Sequence, residues 1–195
     1  AIDPEGLRGL TLRARAGPVR QAFDLALSRL PGPARRIHPD LSDTQLFGGA
    51  DIAATLAAGR LIHSPGLAET PARLILTMAE RTPPALAARL AQLLDQSAGH
   101  TLVLLDEGID GEETAPPTLC ERLALHVSLD DIRHDAAPAL MPAAADLAEA
   151  HTRLASVTHS PEDIATLTAL AASFGIDSLR APWLALRAAR ALAAL

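Results

Sequence analysis

Two acidic residues, Asp106 and Glu107, close the apolar run from Thr101 to Leu105. A buried strand ending in such a pair is the Walker B arrangement, with which an ATPase holds Mg²⁺ and activates a water. That chemistry needs a second part, a loop of the form GxxxxGK[ST] whose lysine ammonium grips the β and γ phosphates. This chain contains no lysine, no asparagine and no tyrosine. The stretch with the right layout is RARAGPVR, Arg13 to Arg20. It lies between a short strand predicted over 7–12 and a helix predicted from Val19 to Leu30, where Phe23, Ala26, Leu27 and Leu30 repeat at the spacing of one face. Strand, glycine turn and helix are in place, but the phosphate-binding side chains are not. Asp106 and Glu107 therefore read as a decoy.

The other reactive groups are isolated. The 7 histidines (His38, His63, His100, His126, His134, His151 and His159) make no HExxH or HxxxH spacing and have no cysteine pair beside them. No metal site is expected. Cys120 is the single cysteine, with no His or Asp at local spacing, and reads as a small buried hydrophobe. No GxSxG occurs, which removes the esterase reading. The acidic loop of Asp106, Glu107, Asp110, Glu112 and Glu113 lacks the ligand order of a Ca²⁺ loop and reads as solvated charge.

Arginine gives the remaining signal. Arg122 is predicted on a short helix opened by Pro116 and Pro117, just ahead of an alternating strand over 123–129, so its guanidinium would project from the end of a sheet toward a neighbour. A guanidinium is always charged and forks onto phosphate oxygens. Arg180 stands in GIDSLRAPW, just before the last helix. Spacing alone leaves both open to a plain solvated role.

The elements that must carry these residues follow from periodicity and punctuation. Pro31 to Pro39 reads as an extended break, because its three prolines lack donors. Gly48 and Gly49 read as a hinge, Asp51 as the cap of a helix ending near Gly59, and Leu61 to Gly66 as a hairpin arm. Arg73 to Met78 reads as a buried strand. Pro83 and Pro84 open a helix with Leu86, Leu90, Leu93 and Leu94 on one face. A linker is predicted from Asp130 to Ala143, followed by helices over 143–157, 161–174 and 182–195. The organisation is an α/β core over 1–135, with a hairpin insertion near 48–72, and a helical domain over 136–195.

Composition sets outer bounds. With 195 residues and 49% apolar content the chain can bury a real core. A net charge of −6, with its 17 basic residues scattered, argues against a nucleic-acid partner. No apolar run is long enough to span a bilayer, the acidic start does not read as a signal peptide, and a lone cysteine fits a reducing compartment. The expectation is a cytoplasmic protein without a membrane span.

In order along the chain, the motifs are Asp3-Pro4, RARAGPVR, GGADIAATLAAGR with a later PGLAE, LILTMA, TLVLLDEGI, LCERLAL and SLRAPWLALRAARALAAL. This series resembles the AAA+ modules of magnesium chelatase, the enzyme that inserts Mg²⁺ into protoporphyrin IX at the entry to chlorophyll and bacteriochlorophyll synthesis. The I-type ATPase subunit of that family carries GDRGTGKS, PGLLA, LLYVDE, LLDRFGL and a closing LLRAARALAAL at the matching places. The resemblance implies a parallel five-stranded P-loop-type sheet flanked by helices, with a small C-terminal helical lid. It puts Val19 at the loop lysine, Arg20 at the adjacent hydroxyl, Met78 and Ala79 at the Walker B pair, and Ile109 at the sensor-1 asparagine. Asp106 and Glu107 then fall on the sensor-1 strand. Arg122 falls at the arginine finger and Arg180 at sensor 2.

Loss of the nucleotide-handling residues with retention of the arginines resembles the D-type subunit of the family, whose N-terminal AAA+ module is a degenerate copy of the I-type subunit. The resemblance covers that module and not the acidic linker and metal-binding domain that follow it in the family. It implies a hexameric ring with the I-type subunit, MgATP held mainly by that subunit, Arg122 offered in trans, no hydrolysis by this chain, and contact of the arm with a neighbour or with the porphyrin-carrying H-type subunit. Two rival readings stand beside it. One is an active ATPase in which Arg20 replaces the lysine and Asp106 and Glu107 serve as the acids, and the other is a structural ring scaffold.

Overall fold

The computed structural model describes residues 1–96, 98–109, 111–132 and 142–195. Asp110, His134, most of the expected linker and the expected boundary at 135/136 lie outside the described residues. The strands are β1 (Gly9–Arg13), β2 (Ala34–Ile37), β3 (Gly48–Ala50), β4 (His63–Pro65), β5 (Arg73–Leu76), β6 (Thr101–Asp106) and β7 (Leu125–Ser128). Five of them make one parallel sheet in the order β2-β5-β6-β1-β7, while β3 and β4 form a separate antiparallel pair.

The middle of the sheet is apolar on both faces, as parallel strands covered by helices must be. Successive side chains of a strand point to opposite faces, so β6 feeds two cores. Leu102 and Leu104 pack with Leu74, Leu76 and the apolar stripe of α5 (Pro84–Asp95), which carries Leu86, Leu90, Leu93 and Leu94. Val103 and Leu105 pack on the other side with Leu12, Ile75 and Leu27, the last from α2 (Pro18–Ser28). Both helices start on proline, whose missing N–H is no loss at the first turn.

The structure changes several expected elements. The stretch read as punctuation contains β2, which pairs with β5 in register Ala34↔Arg73 to Ile37↔Leu76. The prolines lie outside the paired residues, and only Ile37 of the four is buried, so an edge strand hides between them. Gly48 and Gly49 are strand residues, and their partner is His63 to Pro65, so the arm consists of β3, α4 (Ile52–Ala58) and β4. Asp51 Oδ1 accepts from Ala54 N at 2.9 Å and caps α4 as expected. Gly66 must lack a side chain, since a Cβ there would sit 2.2 Å from Gly48 N and 2.6 Å from Leu46 O. Helix α6 (Pro117–Cys120) ends before Arg122, which lies in the following turn, because the chain must swing Leu123 into the core ahead of β7.

The C-terminal helices are α7 (Ala144–Arg153), α8 (Pro161–Ser173) and α9 (Arg180–Ala194). Ser160 and Asp163 form the capping box of α8, with Ser160 N donating to Asp163 Oδ2 at 2.7 Å and Asp163 N to Ser160 Oγ at 3.1 Å. Helix α9 begins two residues earlier than expected, so Arg180 is its first residue. This unit meets the core through the amino-terminal helix α1 (Pro4–Leu7): Arg187 Nη1 lies 3.6 Å from Asp3 Oδ2, and His151 Nδ1 lies 2.7 Å from Ile2 O.

Candidate functional site

Ligands of open parallel sheets bind beyond the carboxyl ends of the strands. There the loop after β1 faces the ends of β5, β6 and β7. Pro18 opens α2 without an N–H, which removes one donor from the backbone cradle a phosphate would use. Val19 offers no charge. Arg20 is 6% exposed, and its guanidinium turns back into the fold. Nη1 donates to Ala14 O at 3.3 Å, Nε donates to Asp24 Oδ1 at 3.4 Å, and Nη1 lies 3.6 Å from Glu107 Oε1. Arg20 thus braces the loop rather than hanging over it as a phosphate hook.

The acids are equally engaged. Asp106 is 3% exposed, and its Oδ1 and Oδ2 accept from Gly108 N and Ala115 N, both at 2.9 Å. Both oxygens therefore fold the acidic loop back on itself. Gly108 permits that turn, since a Cβ there would meet Glu113 O at 2.0 Å. Glu107 faces Arg20, and its backbone N donates to Glu80 Oε2 at 3.0 Å. Met78 and Ala79 carry no carboxylate, and Ala79 is fully buried, so neither supplies an acidic ligand. Ile109 is exposed. The sequence reading passed over Glu80, whose signal was its place directly after Ala79.

A cavity of about 380 Å³ lies between this loop and residues 129–132, and Asp130 and Asp131 line it opposite Val19 and Arg20. A triphosphate there would meet two carboxylates together with the guanidiniums of Arg15 and Arg20, with no lysine ammonium and one backbone donor fewer. The loop lacks the lysine and the adjacent hydroxyl with which the pattern GxxxxGK[ST] holds MgATP.

The other end of the sheet differs. Arg8 precedes β1, Asp95 ends α5 ahead of β6, and Arg122 precedes β7, so all three lie at the amino edge, opposite the loop. Arg122 Nη2 and Nε donate to Asp95 Oδ2 at 2.7 and 3.0 Å, and Nη1 donates to Thr118 O at 2.7 Å and Glu121 Oε1 at 2.6 Å. Arg180 joins them, with Nη1 donating to Glu121 Oε1 at 3.0 Å, and Arg8 Nη1 donates to Asp95 Oδ1 at 3.1 Å. The hydrogen bond from Arg122 is the main cause that holds the Asp95 carboxyl below the usual carboxylate range, with the Arg180 and Arg8 charges adding to it. The same bond raises Arg122 above its ordinary value. A cavity of about 320 Å³ opens here between the sheet edge and α9. The structure therefore brings Arg122 and Arg180 together and sets both apart from Val19, Arg20, Met78, Ala79 and Ile109. Arg8 and Asp95 were missed because their pairing is long-range and leaves no local pattern.

Cys120 is not a nucleophile in this setting. Burial pushes its thiol up, Thr11 Oγ1 lies 3.8 Å from Sγ, and Sγ lies 3.6 Å from Ala115 O. Among the described residues no three His, Cys, Asp or Glu side chains gather to hold a metal, and no helix is long and apolar enough to cross a membrane.

No protein-family model matches the chain. It is 51% identical over 194 residues to the magnesium-chelatase 60 kDa subunit of Cereibacter sphaeroides and 42% identical over 196 residues to that of Rhodobacter capsulatus. Each alignment covers 100% of this chain and 35% of the relative, so the chain spans about a third of the length of these relatives. In structure it resembles a crystallised protein from Cytophaga hutchinsonii assigned as an ATPase, with a TM-score of 0.66 at 15% identity, over 99% of this chain and 72% of the other. The fold is α/β, a parallel five-stranded sheet flanked by helices.

Proposed function

We propose that this chain, homologous over its whole length to about a third of the magnesium-chelatase 60 kDa subunit, is the non-hydrolysing AAA+ module of that subunit. It assembles a hexameric ring with the I-type ATPase subunit and offers Arg122 in trans to the γ-phosphate held there. In this reading the I-type subunit supplies the MgATP, Mg²⁺ and protoporphyrin IX are substrates of the whole enzyme in (bacterio)chlorophyll synthesis, and the H-type subunit carries the porphyrin. The helices α7 to α9 act as the lid domain. The lone cysteine fits the cytoplasm.

The observation that carries the reading is the position of Arg122. It stands at the amino edge of the sheet, so it cannot serve a nucleotide at its own loop, which lies beyond the opposite edge. Its guanidinium, bonded to Asp95 and Glu121 of its own chain, can meet a phosphate only where another molecule brings one to this edge. The engagement of Asp106 by two backbone donors counts against the rival in which Asp106 and Glu107 run an active site. Arg180, hydrogen-bonded to the Glu121 that also binds Arg122, is read as part of the same edge.

The test is ATP turnover by the I-type subunit mixed with this chain. Removing an arginine finger lowers turnover about 10³- to 10⁵-fold, so Arg122→Ala should abolish hydrolysis at the shared interfaces while leaving complex formation intact. Turnover near that of the unaltered mixture would reject the trans role and favour a structural scaffold.

A further inference from the structure

Strand β7 lies at the edge of the sheet and pairs with β1 in the register Leu10↔Leu125 and Leu12↔Val127. Paired residues of neighbouring strands share a face, so Leu125 and Val127 lie on the side of Leu12 and α2. That side is covered over β1, β6 and β5, where Leu27 of α2 packs with Leu12, Val103, Leu105 and Ile75. Over β7 it is open: Leu12 is fully buried, while Leu125 and Val127 are 41% and 42% exposed. A cavity of about 420 Å³ adjoins this strip, among Leu10, Leu27, Leu30, Val103 and Leu125.

Asp3, Arg73 and Thr101 are the polar side chains in the cavity lining. Asp3 Oδ1 accepts from Gly6 N at 2.8 Å, and its Oδ2 lies 3.6 Å from Arg187 Nη1. Arg73 donates from Nη1 to Leu27 O at 3.1 Å and from Nη2 to Pro31 O at 2.6 Å. Both charges are thus engaged within the chain, and the open surface beside them is apolar.

We propose that this strip seats an α-helix with one apolar stripe, contributed by the same polypeptide from outside these 195 residues. Parallel sheets are covered by helices on both faces. A segment laid on apolar surface must also satisfy its own backbone, which a helix does internally. The four residues of β7 span about 13 Å, the length of about nine helical residues. Two or three apolar side chains spaced three or four apart on that helix would reach Leu10, Leu125 and Val127.

The size of the strip favours a tethered occupant over a separate one. A seat of about 13 Å by the roughly 10 Å width of a helix is far smaller than the surface of about 800 Å² per partner that stable association of separate proteins buries. A segment of the same polypeptide needs no such area, because tethering holds it at an effective concentration of about millimolar. About two thirds of the length of each 60 kDa relative lies outside its match to this chain, so those proteins have the residues to supply it. None of this depends on the role of Arg122.

The test is the rate of thiol modification by N-ethylmaleimide. Leu125→Cys is placed in this chain together with Cys120→Ser, and a single cysteine at the aligned position is placed in the complete 60 kDa subunit of Cereibacter sphaeroides. Val127→Cys is a second reporter on the same face, and the exposed His126→Cys is the control on the opposite face. Every variant is checked for folding by circular dichroism. The cysteines at 125 and 127 should react about tenfold more slowly in the complete subunit than in this chain, as expected for a site reached only by local opening, and the cysteine at 126 should react equally fast in both.

Equal rates at 125 and 127 in the two proteins would overturn the proposal, and so would equal slowing at 126. Slowing that appears only when the I-type subunit is added would give the strip to a partner and reject a helix of the same polypeptide. Slowing in this chain that disappears on dilution would give it to a second copy, with the same consequence.

Discussion

Asp106 gives the sharpest test of whether the acidic pair is structural or catalytic. Its carboxylate is 3% exposed and accepts from Gly108 N and Ala115 N, each at 2.9 Å, while Arg13 Nη1 stands at 3.9 Å from Oδ2. In Asp106→Asn one oxygen remains to accept, but the new amide nitrogen faces the other backbone N–H, donor against donor. A buried hydrogen bond to a charged group contributes about 1.5–3 kcal/mol, and an orphaned donor adds its own desolvation. The variant should therefore lose about 2–3 kcal/mol, and Asp106→Ala, which strands both donors, about 4 kcal/mol. Against a typical total of about 5–15 kcal/mol this is a large share. Urea unfolding followed by circular dichroism should show the Asn variant's midpoint lower by about 1 M, for a slope of about 2–3 kcal/mol per M. A carboxylate reserved for a metal behaves in the opposite way, since active-site acids are held at a stability cost and their neutral replacements are neutral or stabilising. An Asp106→Asn chain within about 0.5 kcal/mol of the unaltered one would refute the bracing argument and return the pair to candidate chemistry.

Three further outcomes follow from single contacts. Gly66→Ala should destabilise by about 1–3 kcal/mol, because its Cβ would meet backbone of Gly48 and Leu46 that cannot yield; an unchanged unfolding midpoint would contradict the close approach. Cys120, half-buried beside Thr11 and with its thiol pushed up by burial, should react with iodoacetamide at pH 8 more slowly than a free thiol and regain the free rate in urea. Asp95 is held below the usual carboxylate range by Arg122, so its stabilising contribution is complete above about pH 4, its unfolded value, and is lost as pH falls through the lowered folded value. Asp95→Asn should thus differ from the unaltered chain by a constant amount from pH 7 to about 5 and converge with it below about 4, the gap staying under about 1 kcal/mol because the pair is partly solvated.

Periodicity carried most of the fold. The apolar runs of β5 and β6 and the stripe of α5 leave no alternative to buried elements, and Ser160 with Asp163 marks the start of α8 to the residue. β2 escaped because an edge strand needs only one buried residue, and Ala34 to Ile37 sits among prolines that dominate any local reading. The pairing of Gly48 to Ala50 with His63 to Pro65 escaped because a helix separates the two strands. The site divided in the same way. Missing chemistry is visible in a sequence, since a chain without lysine cannot present an ammonium. Where Arg20 points is not, because Ala14 and Glu107 become its neighbours only after β1 and β6 pair.

That pairing also keeps the two ends of the sheet apart, the Arg20–Glu107 contact at one and the ion pairs of Arg8, Arg122 and Arg180 at the other. In a parallel sheet the residues after the strands and those before them never meet. The loop after β1 is braced locally: Arg20 finds Ala14 O, Asp24 and Glu107, and Asp106 finds two backbone donors. None of those bonds involves Arg8, Asp95, Arg122, Glu121 or Arg180, which draw on the ends of α5 and α6 and the start of α9. Changes at the two edges should therefore add without coupling, as expected for sites with no shared partners. Combining Asp106→Asn with Arg122→Ala should give the sum of the two single stability changes, and an interaction energy above about 0.5 kcal/mol would mean that the sheet transmits between edges that the structure keeps apart.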